Sequence, residues 1–141
     1  MDLNASVSTI MTTDVKIAGP DDATSILDEL FRQYRIHHVP IVDEDGTVLG
    51  IVSKSDFLYL LRSFGSHESD RFREAAKLRA FKVKEIMVKQ VETIGEDEPI
   101  KKAVELLAQN RFRCLPVINT DKKIVGIVTT HDIIDLVNES A

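Results

Sequence analysis

The sequence predicts a fold of the mixed α/β (α+β) class, made of two β-α-β-β-α repeats. Residues 6–65 align with 82–141 at a constant offset of 76 (132 − 56) without a gap, and 17 of the 60 aligned pairs are identical. Each copy also contains an apolar hairpin followed by a short helix pattern. One copy alone would expose an apolar sheet face, so the copies are expected to pack sheet to sheet as a pseudo-two-fold pair.

The first repeat alternates short apolar runs with one amphipathic stretch. Its predicted elements are a helical turn at 7–11, strands at 15–17, 39–42 and 47–52, and helices at 22–34 and about 56–64. Apolar residues at helical spacing predict the helix over 22–34. Asp45-Gly46 predicts the hairpin turn, since Asp-Gly is the strongest short signal for one. Pro40 lies at a strand start, where it removes no ladder donor.

The second repeat follows a charged connector and has the same order of elements. We expect the first repeat to span 1–64, a helical connector 65–82, whose charges form a solvated face or bear on a partner, and the second repeat 83–141. The predicted elements of the second repeat are a strand at 91–93, a helix from Ile100 to Leu107, hairpin strands at 115–118 and 124–128, and a helix at 132–138. Pro99 fits the first turn of its helix, where the missing N–H costs nothing.

Composition indicates an ordinary globular protein of 141 residues with a net charge of −5. The acidic balance makes nucleic-acid binding by bulk charge unlikely, since such proteins are normally basic. No apolar run approaches the ~20 residues of a membrane span, and the N-terminus lacks the pattern of a secretory signal. The single cysteine, Cys114, favours a buried thiol in a reducing compartment. These features together predict a cytoplasmic protein without membrane association.

One motif occurs in both copies at the junction of strand and helix: residues 50–56 read Gly-Ile-Val-Ser-Lys-Ser-Asp, and 126–132 read Gly-Ile-Val-Thr-Thr-His-Asp. Ser53 and Thr129 are suited to cap a helix, and Asp56 and Asp132 lie at capping-box spacing. The same residues suit a ligand, because a helix N-terminus favours phosphate and a carboxylate can accept from two vicinal ribose hydroxyls. Both interpretations can hold at one site.

These residues resemble a tandem pair of CBS domains, the regulatory Bateman module, over about residues 4–141. The resemblance rests on features that occur twice in the same order: Ile10-Met11 and Ile86-Met87, Val39-Pro40 and Leu115-Pro116, and the two Gly-Ile-Val-Ser/Thr-x-x-Asp motifs. It implies a stand-alone regulatory pair with two equivalent clefts between the repeats that bind adenosine nucleotides (AMP, ADP or ATP), less often S-adenosylmethionine. By family analogy a homodimer and an effector protein, here unknown, are also expected.

The resemblance also implies a role for individual residues. Asp56 and Asp132 would bind ribose. Phosphate would be bound by Ser53, Thr129, His37, His38, Arg113 and Lys54. Adenine would lie against Val15, Lys16, Ile17, Val91, Glu92 and Thr93. Cys114 occupies the position of His38 in the second copy, so the two copies offer unequal charge to phosphate. We therefore expect two inequivalent sites, one of which can be empty.

Signatures of enzymes are absent from the sequence. It contains no Gly-x-Gly-x-x-Gly, no Gly-rich loop ending in Gly-Lys-Ser/Thr, no His-Glu-x-x-His and no Cys-x-x-Cys. We therefore expect a regulatory ligand rather than a catalytic cofactor, and no enzymatic activity. The alternatives are a ligand-free interaction scaffold whose motif residues only cap helices, or a sensor of S-adenosylmethionine, of a divalent metal or of nucleic acid.

Overall fold

The computed structural model describes residues 1–63 and 71–140, which form five helices and five strands among these residues. The helices are α1 Ser25–Gln33, α2 Lys54–Ser63, α3 Arg71–Ala80, α4 Ile100–Ala108 and α5 Thr130–Glu139. The strands are β1 His38–Val42, β2 Val48–Ser53, β3 Ile94–Gly95, β4 Cys114–Ile118 and β5 Ile124–Thr129. Short 3-10 turns occupy Val7–Thr9 and Val83–Glu85. Two repeats of mixed α+β structure are confirmed.

The chain divides into two compact units. Each repeat opens with a short segment, here called its lead-in (residues 7–12 and 83–88), and each unit contains the lead-in of the other repeat. Unit A comprises Lys16–Glu44 and Leu49–Gln90, and so contains the 3-10 turn Val83–Glu85 that opens the second repeat. Unit B comprises Met1–Val15, Asp45–Val48 and Val91–Ala141, and so contains the chain's N-terminal segment. The units therefore cut across the sequence repeats, which the alignment alone gave no reason to expect.

Unit A is built around the two-stranded sheet β1–β2. Its core of buried side chains comprises Ala18, Leu27, Phe31, Val39, Ile41, Val52, Phe57, Leu78 and Val83. Leu78 belongs to α3, so the predicted connector contributes to this core as well as presenting charge. The buried hydroxyl of Thr24 donates to the Leu78 carbonyl oxygen and ties α3 to the start of α1.

Unit B is built around the three-stranded sheet β3–β4–β5. Strand β3 is parallel to β4, and β4 is antiparallel to β5, with Cys114 opposite Thr129. The buried core comprises Val7, Ile94, Ala103, Leu115, Val117 and Val128. Val7, from the N-terminal segment, donates its N–H to the Glu98 carbonyl oxygen at 2.8 Å. The lead-in is thus part of this core.

Several predicted boundaries are wrong. No strand forms at 15–17; a single parallel bridge joins Ala18 to Ile41 instead. The strand predicted at 91–93 is displaced to Ile94–Gly95. Helices α2 and α5 begin two residues before the predicted Asp56 and Asp132, because the helix starts directly after the capping residue. The expected break at 65–70 lies outside the described residues.

Within the part of the chain that the structure describes, no helix has the length and apolar character that a membrane-spanning helix needs.

Candidate functional site

The carboxylate of Asp132 lies at the first turn of α5 in unit B. Its Oδ2 accepts from the backbone N–H of Thr129 at 2.8 Å, and the Thr129 hydroxyl lies 3.3 Å from the same oxygen. Its Oδ1 accepts from the hydroxyl of Thr12 at 3.3 Å. A carboxylate offers about four acceptor positions. Two on Oδ2 and one on Oδ1 are occupied here, so Oδ1 retains acceptor capacity for a further hydroxyl group. The side chain is half-buried, which limits competition from water.

Thr12 reaches Asp132 because the N-terminal lead-in crosses β5 at close range. The N–H groups and carbonyl oxygens of Thr12 and Ile127 exchange hydrogen bonds of 2.8 and 2.9 Å. At Gly126 a Cβ would lie 2.7 Å from Met11 Sδ and 2.9 Å from the Thr12 carbonyl oxygen. The motif glycine is therefore required by this crossing, while the threonine and aspartate that follow it remain available to a ligand.

Cys114 and Arg113 lie at the start of β4, beside the motif. Cys114 is opposite Thr129 in the sheet and is buried. Burial, with a smaller contribution from the negative charge of Asp132, raises the pKa of the Cys114 thiol to about 12. The expected buried thiol is confirmed, and it is neutral at physiological pH. The preceding Arg113 is exposed, so its guanidinium is accessible to an anion.

Unit A holds the equivalent motif at the junction of β2 and α2, but its polar groups are arranged differently. The Ser53 hydroxyl oxygen accepts from the backbone N–H of Asp56 at 3.1 Å and caps the helix, as that of Thr129 does for α5. In unit B the N–H of the capping residue also donates to the carboxylate of Asp132. The Asp56 side chain is exposed. The Lys54 N–H donates to the His37 carbonyl oxygen at 2.7 Å, which places His37 beside the first turn of α2. His38 is half-buried at the first position of β1.

An open groove of about 320 Å³ extends from Asp56 along α2. Its lining residues are Val52, Asp56, Phe57, Tyr59, Leu60, Ser63, Glu85 and Ile86. Apolar side chains with a few polar groups are typical of small-molecule sites. Glu85 and Ile86 belong to the opening segment of the second repeat, so sequence reasoning about the first repeat missed them.

The segments predicted to meet adenine precede the first strand pairing of each repeat. In unit A, Lys16 and Ile17 precede Ala18, which bridges Ile41 of β1. The Lys16 ammonium lies 4.3 Å from the centroid of the Tyr34 ring, a cation–π contact. In unit B, residues 91–93 precede β3, and because β3 and β4 are parallel they lead toward the Cys114 end of β4. Val15 belongs to unit B and is half-buried.

Among residues 1–63 and 71–140, no three His, Cys, Asp or Glu side chains are grouped to hold a metal ion.

Comparison with known proteins identifies the repeats. A family model described as the CBS domain matches residues 7–63 and 83–139. Uncharacterized protein MJ1225 of Methanocaldococcus jannaschii is 29% identical over 137 residues, which are 95% of this chain and 48% of that protein. Homoserine O-acetyltransferase of Methanohalobium evestigatum is 34% identical over 136 residues, 94% of this chain and 24% of the enzyme. This chain thus spans about half or less of the length of these relatives.

Solved structures share the fold over almost the whole chain. The CBS domain pair of protein MJ0100, in complex with 5′-methylthioadenosine and S-adenosyl-L-methionine, is 26% identical with a TM-score of 0.78 and covers 96% of this chain and 98% of its own. CBSX2 from Arabidopsis thaliana gives a TM-score of 0.80 at 22% identity, over 96% of both chains. At that identity CBSX2 supports the fold alone.

Proposed function

The chain belongs to the CBS-domain family, and from that premise we propose that it is a regulatory module that binds an adenosine-containing small molecule. The ligand is a regulatory one, and the module acts through a change of conformation or of oligomeric contacts rather than by catalysis. A ligand can act in this way only through different affinities for two states of the protein.

The observation that carries this proposal is the geometry of Asp132. Its carboxylate is held by Thr129 and Thr12 and keeps a free acceptor position on Oδ1, while the hydroxyl of Thr129 that bonds to Oδ2 can be replaced by one of a ribose. Two acceptor oxygens on one group match the two vicinal hydroxyls of a ribose, and hydrogen bonds to a charged acceptor are the strong ones. Asp56 presents the same group at the corresponding position of unit A. The MJ0100 pair, which is 26% identical, was solved with two ligands that each contain adenosine.

The groups proposed to bind phosphate differ between the two motifs. Around Asp56 they are Ser53, Lys54, His37 and His38, and around Asp132 they are Thr129 and Arg113. In both motifs the first N–H groups of a helix add a favourable field for an anion. These groups favour an adenine nucleotide, AMP, ADP or ATP, as the ligand. Adenine would lie against residues 15–17 or 91–93.

A second candidate, S-adenosylmethionine, is favoured by the groove beside Asp56. The two charged residues among those that line it, Asp56 and Glu85, both carry carboxylates. Carboxylates attract the sulfonium and ammonium groups of S-adenosylmethionine and repel a polyphosphate. The two candidates therefore predict opposite orders of affinity at Asp56.

A thermal-unfolding screen with AMP, ADP, ATP, 5′-methylthioadenosine and S-adenosylmethionine tests the proposal. A ligand present at 100 times its dissociation constant stabilises the protein by about 2.7 kcal/mol, which is readily measured. Calorimetry on Asp132→Ala and Asp56→Ala should then show about ten- to a hundredfold weaker binding at the altered site, the loss expected for a hydrogen bond to a charged group.

A screen with no stabilisation by any of the five compounds would favour an interaction scaffold without a ligand. Unchanged affinity in both variants would refute the assignment of the ribose contacts. We also propose a homodimer acting on a separate effector protein. Sedimentation with and without the bound ligand tests the first of these, and a single monomeric species under both conditions would contradict it.

A further inference from the structure

Both oxygens of the Asp132 carboxylate are held within unit B, each by a different segment. The Thr129 N–H donates to Oδ2, and the Thr12 hydroxyl donates to Oδ1. One hydrogen bond leaves a carboxylate free to turn about its own axis, whereas one on each oxygen fixes its plane. The Thr12 backbone is itself anchored to Ile127 by two hydrogen bonds, so its hydroxyl has a fixed origin.

The corresponding position in unit A lacks this hydroxyl. Val88 takes the place of Thr12 (12 + 76) and makes the same pair of backbone hydrogen bonds, here with Ile51 at 3.0 and 2.9 Å. A Cβ at Gly50 would lie 2.9 Å from the Val88 carbonyl oxygen, just as one at Gly126 would from that of Thr12. The two lead-ins thus cross their strands alike, but a valine side chain has no donor for Asp56.

We infer that Thr12 is a positioning residue that orients the Asp132 carboxylate toward a vicinal diol, and that it makes the Asp132 site the stronger of the two for a ribose. This inference rests on the proposed function and adds a residue and a rank order to it. Fixing a side chain before binding removes the cost of ordering it on binding. At Asp56 the exposed carboxylate must be ordered by the ligand itself.

The test measures binding of AMP and of 2′-deoxy-AMP by calorimetry in the full chain carrying Asp56→Asn, which leaves the Asp132 site intact. Thr12→Val should weaken AMP binding by roughly three- to tenfold. It should leave 2′-deoxy-AMP, which has lost the diol, within about twofold, so that the preference for ribose falls. Thr12→Ser, which restores the hydroxyl, should match the parent. Thr13→Val, at the exposed neighbouring residue, is the matched control and should change neither ligand.

The reciprocal change is a gain-of-function test. In the chain carrying Asp132→Asn, Val88→Thr should strengthen AMP binding at Asp56 by a similar factor and raise the preference for AMP over 2′-deoxy-AMP. Valine and threonine are nearly equal in size, and each substitution introduces the residue found at the aligned position of the other repeat. Neither Thr12→Val nor Val88→Thr should therefore disturb folding, which circular dichroism checks.

Each result has a distinct meaning. An unchanged ratio of the two affinities in Thr12→Val, with AMP still bound, would overturn the role of Thr12 alone. Equal weakening of both ligands, or failure of Thr12→Ser to restore AMP binding, would indicate a structural role and also overturn it. Absence of binding of either nucleotide and of 5′-methylthioadenosine to the unaltered protein would refute the proposed function, and the inference with it.

Discussion

The two strand-to-helix motifs are alike in their packing and different in the arrangement of their polar side chains. Each motif glycine lies under a methionine of a lead-in, Gly126 under Met11 and Gly50 under Met87, with the same 2.7 Å limit on an added Cβ. The polar groups have changed around this common frame. A hydroxyl caps both helices, but Asp132 is held by Thr129 and Thr12 whereas the Asp56 side chain is exposed. Two copies of one backbone can thus place the same carboxylate in unequal surroundings.

The common frame extends to the turn before the first helix of each repeat. The Gly19 N–H donates to the Asp22 carboxylate at 2.7 Å, and the Gly95 N–H donates to that of Glu98 at 2.9 Å. Asp22 and Glu98 are aligned in the duplication, and either acid supplies the acceptor that this turn needs. What the copies share is therefore hydrogen-bonding capacity and close approach, more than residue identity.

The largest expected effect tests the shared part of the comparison. Gly126→Ala and Gly50→Ala should each lower the free energy of unfolding by about 3 kcal/mol, because the new Cβ meets a methionine sulfur at 2.7 Å and a backbone oxygen at 2.9 Å. Only the sulfur can move aside without shifting the crossing. Urea unfolding monitored by circular dichroism gives the two values.

Gly95→Ala is the control for the two motif glycines, since its nearest contact would be Glu98 Cγ at 3.5 Å, an ordinary separation. We expect a change of less than about 1 kcal/mol there. A loss at Gly126 much larger than that at Gly50 would show that the two crossings are not equivalent. Losses at both positions no larger than at Gly95 would show that neither crossing requires a glycine.

Most of the fold could be predicted because its signals are local. Asp45-Gly46, the alternation around it and the helical spacing of Leu27 and Phe31 each specify an element from neighbouring residues. The errors at 15–17 and 91–93 arise where a short segment has a single partner far along the chain. There the first bridge, at Ala18 or Ile94, depends on tertiary packing and not on the alternation of side chains.

Only part of the candidate site could be predicted from the sequence. Ser53, Asp56, Thr129 and Asp132 stood out because they recur at one offset and suit both a helix cap and a sugar. Thr12 did not, because its counterpart is Val88, and because the exchange of lead-ins between units is a long-range feature that no local pattern encodes. The signal that the sequence did offer for Thr12 is its position, since it is a polar residue directly after the repeated Ile-Met pair.

A smaller effect is expected at Cys114, a position where the first repeat has His38 instead. Burial raises the pKa of Cys114 to about 12, against about 8.5 in an unfolded chain. The unfolded state therefore loses the thiol proton first as pH rises, so the stabilisation is complete below about pH 8.5 and declines up to about pH 12. By pH 10.5 the loss should be about 2.7 kcal/mol.

Urea unfolding of the parent and of Cys114→Ala at pH 7.5 and 10.5 measures that loss. The cavity in the variant lowers stability at both pH values and cancels in the difference, as do the other groups that titrate in this range. Equal losses in the parent and in Cys114→Ala would mean that the Cys114 thiol does not cause the loss. Water would then reach the start of β4 more readily than the burial of Cys114 indicates.

The smallest effect concerns the aspartate of each capping motif. Thr129 and Ser53 cap their helices alike, and the N–H of Thr129 also donates to Asp132. Asp132→Ala removes the acceptor for the Thr129 N–H and should cost about 1 kcal/mol of unfolding free energy, the usual value of a cap. Asp56→Ala keeps the hydrogen bond from the residue-56 N–H to Ser53 and should cost only a few tenths of a kcal/mol, from the lost charge at the helix N-terminus. Ser53→Ala should then cost more than Asp56→Ala. If the two aspartates cost the same, the contrast between a held and an exposed carboxylate does not survive in solution.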